Sequence, residues 1–176
     1  RQAGLVCKAI ISDMNQPLGN KVGNALEIEE TLDLLKGHGP ADLLELVLTL
    51  GSHMVVMGGK ATTLAQGREM LAATLTDGSA LAKFKAMIEA QGGNGQVVTD
   101  YALMPHAKYQ VVVSAPQSGV ITSLSADGIG IAALMLGGGR QKADDQLDYG
   151  VGIELHKKLG DEVEAGEPLL AIHANQ

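Results

Sequence analysis

Side chains able to do chemistry are few and scattered along the 176 residues. Gly58-Gly59-Lys60-Ala61-Thr62 spells the end of a phosphate-binding loop, but such a loop follows a strand and carries a metal-binding hydroxyl directly after its lysine. Here an apolar helical stretch precedes the glycines and Ala61 takes the hydroxyl's place, so the segment reads as a helix C-cap. Gly137-Gly138-Gly139-Arg140 follows another helical stretch, at the end whose dipole repels anions, and reads as a turn with an arginine that pairs locally. The five histidines, His38, His53, His106, His156 and His173, include no i, i+4 pair, and Cys7 has no second cysteine, so a transition-metal site lacks its ligands. His53 lies in an apolar helical stretch and reads as a satisfied core histidine. No Gly-x-Ser-x-Gly elbow occurs, which leaves hydrolase chemistry without support.

Composition excludes further classes. Twenty acidic against 13 basic side chains give a net charge of −7, the wrong sign for tracking a phosphate backbone. Aromatic residues make up 2%, too few for a platform on which bases stack. No apolar run approaches the roughly 18 residues that a membrane-spanning helix needs. We therefore expect neither a nucleic-acid nor a membrane partner. A single cysteine fits a reducing compartment, and the expected location is cytoplasmic.

The elements that must position any site change character midway. Leu5-Val6-Cys7-Lys8-Ala9-Ile10-Ile11 reads as a buried strand, yet nothing before it supplies neighbours, and residue 1 is not Met. Both features suggest a piece of something longer. Asn24 is placed to cap a helix with Leu26, Ile28, Leu32 and Leu35 on one side and Glu27, Glu29, Glu30 and Asp33 largely on the other. Asp42 is placed to cap a second helix, Leu43 to about Met57, apolar nearly all round and so expected at the centre of the core. Two more are expected over about Thr63–Leu75 and Ser79–Ala90. After Gly92-Gly93-Asn94-Gly95 the hydrophobic period shortens to that of strands, at residues 109–113, 119–122, 152–155 and 168–172, with one helix from Ile129 to Leu136. The expected fold class is α/β to α+β, divided into residues 1–92, a linker at 93–106, and a C-terminal α+β unit at 107–176.

Lys158-Leu159-Gly160-Asp161-Glu162-Val163-Glu164-Ala165-Gly166-Glu167-Pro168-Leu169-Leu170-Ala171-Ile172 resembles the closing hairpin of biotinyl and lipoyl carrier domains, a barrel-sandwich or hammerhead-like element. A carrier presents a modifiable lysine on the next hairpin, and no Met-Lys-Met or Asp-Lys-Ala follows. The hairpin therefore implies a fold and not a swinging arm.

A longer set of motifs resembles the pyrimidine-nucleoside and thymidine phosphorylase family. It opens with Ile11-Ser12-Asp13-Met14-Asn15-Gln16-Pro17-Leu18-Gly19 and Val22-Gly23-Asn24-Ala25-Leu26-Glu27-Ile28-Glu29-Glu30. It continues through Leu34-Leu35-Lys36-Gly37-His38-Gly39-Pro40-Ala41-Asp42-Leu43 and Leu48-Thr49-Leu50-Gly51-Ser52-His53-Met54. It returns at Ser118-Gly119-Val120-Ile121, Gly137-Gly138-Gly139-Arg140 and Asp148-Tyr149-x-Val151-Gly152. The likeness spans the chain in order, and Asn15-Gln16-Pro17-Leu18-Gly19 is closest to the broad-specificity bacterial type.

The resemblance implies a pentosyltransferase that splits a pyrimidine nucleoside with inorganic phosphate into free base and (2-deoxy)ribose 1-phosphate. The matching region is the C-terminal portion: residues 1–92 would complete the central α/β domain and 107–176 the C-terminal domain. The family's Lys-x-Ser phosphate loop and its base-reading Arg, Ser and Lys all precede the matched region. No catalytic residue transfers to this chain, which is expected to be inactive alone. The parent is expected to be a homodimer built through an N-terminal helical domain. What does transfer is part of a potassium site: the carbonyls of Leu18 and Lys21 and the carboxylate of Glu30, hard oxygen donors suited to such an ion. The Lys21 ammonium is a potential competitor for it. Glu30 read by itself is a solvated helix residue. Two other readings stay open, a non-catalytic biotinyl- or lipoyl-like scaffold and an independent small-molecule-binding module.

Overall fold

Helices occupy the first half of the chain and antiparallel strands the second, in a computed structural model that describes Gly4 and residues 6–176. Among the described residues the expected leading strand does not form. Leu5 lies outside the described residues, and residues 6–11 have no ladder partner among those described; Ile11 is fully exposed. A strand is stable only where a neighbour takes up its backbone groups, and no described segment does so here.

A two-residue strand, β1 (Lys21–Val22), instead precedes helix α1 (Asn24–Leu35). Asn24 is the first residue of α1 and not its cap; its side chain donates to the Gly138 carbonyl. The buried side of α1 holds Ala25, Leu26, Leu32 and Leu34, but also Glu29 and Glu30, while Ile28 is exposed. The acidic residues therefore do not form a purely solvated face, because two of them find donors inside.

Helix α2 (Ala41–Met57) starts after Pro40, with Asp42 in its first turn and not at the cap. It is not at the centre of the core. Only Leu48 and Ser52 are buried, whereas Val47, Leu50, Met54 and Met57 are exposed. Its one covered side packs on α3 (Leu64–Thr76) at small residues: a Cβ on Gly67 would lie 3.0 Å from the Ser52 carbonyl oxygen. His53 is half-buried and its Nδ1 has no hydrogen-bond partner among the described residues, against the satisfied core histidine expected. At the end of α2, Gly59 adopts φ +68°, its N–H bonds the Val56 carbonyl, and the Lys60 N–H bonds that of Val55. This is a Schellman cap, and it accounts for the glycines of the would-be phosphate loop. Thr63 caps α3 by accepting from the Gln66 amide, and α4 (Ser79–Ala90) follows Gly78.

Residues 95–103 fold into two 3₁₀ turns, Gly95–Val98 and Tyr101–Leu103. The strands are β2 (Tyr109–Ser114), β3 (Gly119–Val120), β4 (Gly152–Leu155), β5 (Glu162–Val163) and β6 (Pro168–Ala174); α5 (Ala126–Ala133) and a π-turn at Leu134–Gly138 interrupt them. Arg140, after that turn, is exposed and makes no ion pair among the described residues, against the local pairing expected for it.

One antiparallel sheet runs in the order β1-β4-β6-β2, and β3 pairs with β5 separately. The sheet thus takes a strand from each half of the chain, with Lys21 opposite Glu154 and Val22 opposite Ile153. Gly23 and Gly152 permit this: a Cβ on Gly152 would lie 2.3 Å from the Val22 carbonyl oxygen. Val151, Ile153, Leu155 and Ala171 are buried, as are Leu26 and Leu32 of α1, and Leu26 Cδ1 lies against Gly152. No helix among the described residues is long and apolar enough to cross a membrane.

Candidate functional site

The turn leading into β1 gathers several polar contacts. Gly19 has φ +66°, and a Cβ there would lie 2.1 Å from Glu30 Oε2, so the carboxylate sits where a side chain would otherwise be. Glu30 Oε1 accepts from the Asn20 amide at 2.7 Å and the Lys21 amide at 3.2 Å. These bonds let a carboxylate only 6% exposed remain two turns inside α1. Burial nevertheless pushes the Glu30 pKa above its ordinary value, against the two amides and the nearby Lys21 charge.

Leu18, Lys21 and Glu30 border one cavity of about 400 Å³, with Pro17, Thr31 and Ala126 among its other walls. The Leu18 carbonyl accepts no hydrogen bond among the described residues. Leu155 N–H bonds the Asn20 carbonyl, so ladder alternation turns the Lys21 carbonyl away from β4. The direct ion pair of the Lys21 ammonium is with Glu29 Oε2, at 2.9 Å, and not with Glu30. Burial acts to lower the Lys21 pKa, but the Glu29 hydrogen bond and charge, with the Glu154 and Asp33 carboxylates, together outweigh it and raise the pKa. A buried carboxylate short of positive charge, beside two carbonyls with free lone pairs, is a donor set that fits a hard monovalent cation. Among the described residues, no group of three or more His, Cys, Asp or Glu side chains is arranged to hold a metal ion.

A second set of contacts, absent from the reading of the sequence, fixes the other side of α1. Tyr101 donates to Asp33 Oδ1 at 2.6 Å and accepts from Lys36 Nζ at 3.0 Å. Burial, then the Asp33 carboxylate, push the Tyr101 phenol well above its ordinary pKa, so it stays a neutral donor. His106 Nε2 lies 2.8 Å from the Tyr101 carbonyl oxygen, and its Nδ1 lies 3.9 Å from Glu29 Oε1. The segment read as a linker therefore packs on the helix that carries Glu29 and Glu30. The only forewarning in the sequence was a tyrosine in a chain that has three.

Residues 1–81 match the Glycosyl transferase family, a/b domain, and residues 120–176 match the Pyrimidine nucleoside phosphorylase C-terminal domain. Over 168 residues the chain is 53% identical to the pyrimidine-nucleoside phosphorylases of Staphylococcus aureus strains USA300, NCTC 8325 / PS 47 and bovine RF122 / ET3-1. The aligned stretch is 96% of this chain but 39% of each relative. The helical half is thus matched by the glycosyltransferase-family model and most of the strand-bearing half by the phosphorylase-domain model, in that order. Within the glycosyltransferase class the chain belongs to the pyrimidine-nucleoside phosphorylase family, whose C-terminal domain it carries.

Proposed function

We propose that the chain is the C-terminal part of an enzyme that cleaves pyrimidine nucleosides with inorganic phosphate, releasing the base and (2-deoxy)ribose 1-phosphate. The observation that carries this is 53% identity over nearly the whole chain to enzymes named for that substrate class. In this reading residues 1–92 complete the α/β domain, 93–106 connect, and 107–176 form the C-terminal unit, with residues 158–172 as a barrel-sandwich hairpin. The parent is a cytoplasmic homodimer, assembled through a helical domain outside the chain.

The chain's own contribution is the turn at residues 17–21. The carbonyls of Leu18 and Lys21 and the carboxylate of Glu30 would hold a potassium ion beside the phosphate site. Such an ion supplies fixed positive charge and orders the turn; the residues themselves orient oxygens and exclude water. The raised Glu30 pKa supports this, since a cation would relieve the cost of burying that charge. Carrier and independent-binding readings have no comparable support, because residues 120–176 match a phosphorylase domain.

The test is base release from thymidine and from uridine with phosphate, by the full-length gene product and by this chain alone. Turnover by the full-length protein and none by the chain is expected. Absence of phosphorolysis with every pyrimidine nucleoside tried would overturn the reading, and turnover by the chain alone would overturn the inactivity expected of it.

A further inference from the structure

The same turn already holds a cation, and the protein supplies it. Lys158, in the loop before β5, sends its ammonium 141 residues back along the sequence to donate to the Pro17 carbonyl. It also donates to the Gly19 carbonyl and, at 3.1 Å, to Asp42 Oδ2. Three oxygens meet the three protons of an ammonium, so its donor capacity is filled. The side chain is 19% exposed. Asp42 Oδ2 also accepts from the Gly19 amide at 3.1 Å, which makes the carboxylate a hinge between ammonium and turn. The loop is fixed in turn: Leu159 N–H bonds Gln16 Oε1 at 3.0 Å, and Lys158 N–H bonds Asp161 Oδ2 at 2.7 Å.

Two carbonyls and one carboxylate converging on a point make the donor set of a hard monovalent ion. Here it is occupied by a covalently tethered one. Because Pro17 and Gly19 point their carbonyls at Lys158, the intervening Leu18 carbonyl is left without a hydrogen bond among the described residues. Gly19, held by Asp42, lies next in sequence to Asn20 and Lys21, whose amides grip Glu30.

We propose that Lys158 is a positioning residue whose ammonium acts as an internal monovalent cation, locking the Pro17–Gly19 turn in the shape that presents Leu18, Lys21 and Glu30, and that its removal leaves a cage able to take a small cation from solution. The first clause rests on the potassium reading above; the cage itself does not. A structural tether would need only the lysine stem, whereas a cation cage needs the charge.

The experiment is amide hydrogen exchange on the full chain, comparing wild type, Lys158→Ala and Lys158→Met. Exchange at Gly19, Asn20 and Lys21 is followed in ammonium, methylammonium and tetramethylammonium chloride at equal ionic strength, with the β2–β6 amides as the internal reference. In Lys158→Ala the three turn amides are expected to exchange at least roughly tenfold faster while the reference stays unchanged, the scale of one charge-assisted hydrogen bond. Ammonium and methylammonium restore protection and tetramethylammonium, too large for the cage, does not. Acceleration that no small cation reverses would reduce Lys158 to a tether and overturn the proposal. Should Lys158→Ala unfold, Lys158→Met keeps the stem and decides the matter: wild-type protection of the turn in that variant overturns the proposal, and faster exchange at the turn alone supports it. No substrate enters the readout, so the cage stands or falls separately from phosphorolytic activity.

Discussion

Asp42 and Glu30 serve one turn, yet the structure drives their pKa values in opposite directions. At Asp42 burial acts upward, but the Lys158 ammonium and the amides of Leu43 and Gly19 outweigh it and hold the carboxyl below its ordinary value. That stabilisation is present above the unfolded pKa and is lost as pH falls through the folded one. At Glu30 burial wins over the two amides, and the folded pKa is raised. Its contribution is favourable below the unfolded pKa and is lost as pH rises through the folded value. In a large organic cation, Glu30→Gln should therefore be at least as stable as wild type at pH 7. The difference should shrink as pH falls towards the ordinary glutamate pKa of about 4.3. Potassium should stabilise wild type and leave the variant unchanged. Denaturation midpoints in the two salts at several pH values check this, and equal potassium responses would remove Glu30 from the cation site. Gly19 is a sharper test of geometry. An alanine there combines a left-handed φ with a Cβ inside the Glu30 carboxylate, so Gly19→Ala should cost about 1–3 kcal/mol in urea unfolding. An unchanged midpoint would mean the carboxylate does not occupy that space.

Among the elements, the α2–α3 pair depends on close approaches at two glycines, Gly51 against Leu71 and Gly67 against Ser52. Gly67 brings the helices together over Ser52, whose hydroxyl bonds the Leu48 carbonyl, and Glu45 clasps Arg68 alongside. Gly67→Leu should splay the pair and cost about 1–3 kcal/mol, read from thermal unfolding. Gly67→Ala, whose Cβ would meet the Ser52 carbonyl oxygen at 3.0 Å, should cost less. Equal stability of all three proteins would show that the helices do not meet there. Helix α4 had the bounds that its flanking glycines indicated, and β4 those of its apolar run, because both signals are local. The burial of Glu29 and Glu30 was not legible. Periodicity assigns carboxylates to water, and only distant donors, Lys21 Nζ and the turn amides, reverse that. Nor was the place of α2 legible, since an all-round apolar helix reads as central whether or not the chain supplies anything to cover it. Strand β1 is two residues long and carries no period at all; it exists because β4, some 130 residues on, pairs with it.

That pairing bears on the whole molecule, because the change of character near residue 92 would otherwise suggest two bodies on a string. The contacts interlock the halves. Besides the β1–β4 ladder, the Ala25 amide bonds the Tyr149 carbonyl, Asn24 Nδ2 bonds that of Gly138, and the Ala126 amide bonds that of Asn15. Lys158 and Leu159 then close on Pro17, Gly19, Asp42 and Gln16. Most of these partners are backbone groups, and separation would expose Val151, Ile153 and Leu26 along with them. Separation would rehydrate these groups, so each lost hydrogen bond costs about 0.5–1.5 kcal/mol net, and several lost at once together with the apolar surface outweigh the freedom gained by two separate chains. A chain cut once within Gly92-Gly93-Asn94-Gly95 should therefore stay in one piece under native conditions. The nicked protein should elute from a sizing column with the intact chain and give two bands only after denaturation. Lys158→Ala, which removes one side of the seam, should lower the denaturant concentration at which the nicked halves part. If the halves elute separately without denaturant, the interlock is too weak to define one body, and residues 107–176 would then have to be treated as an independent unit.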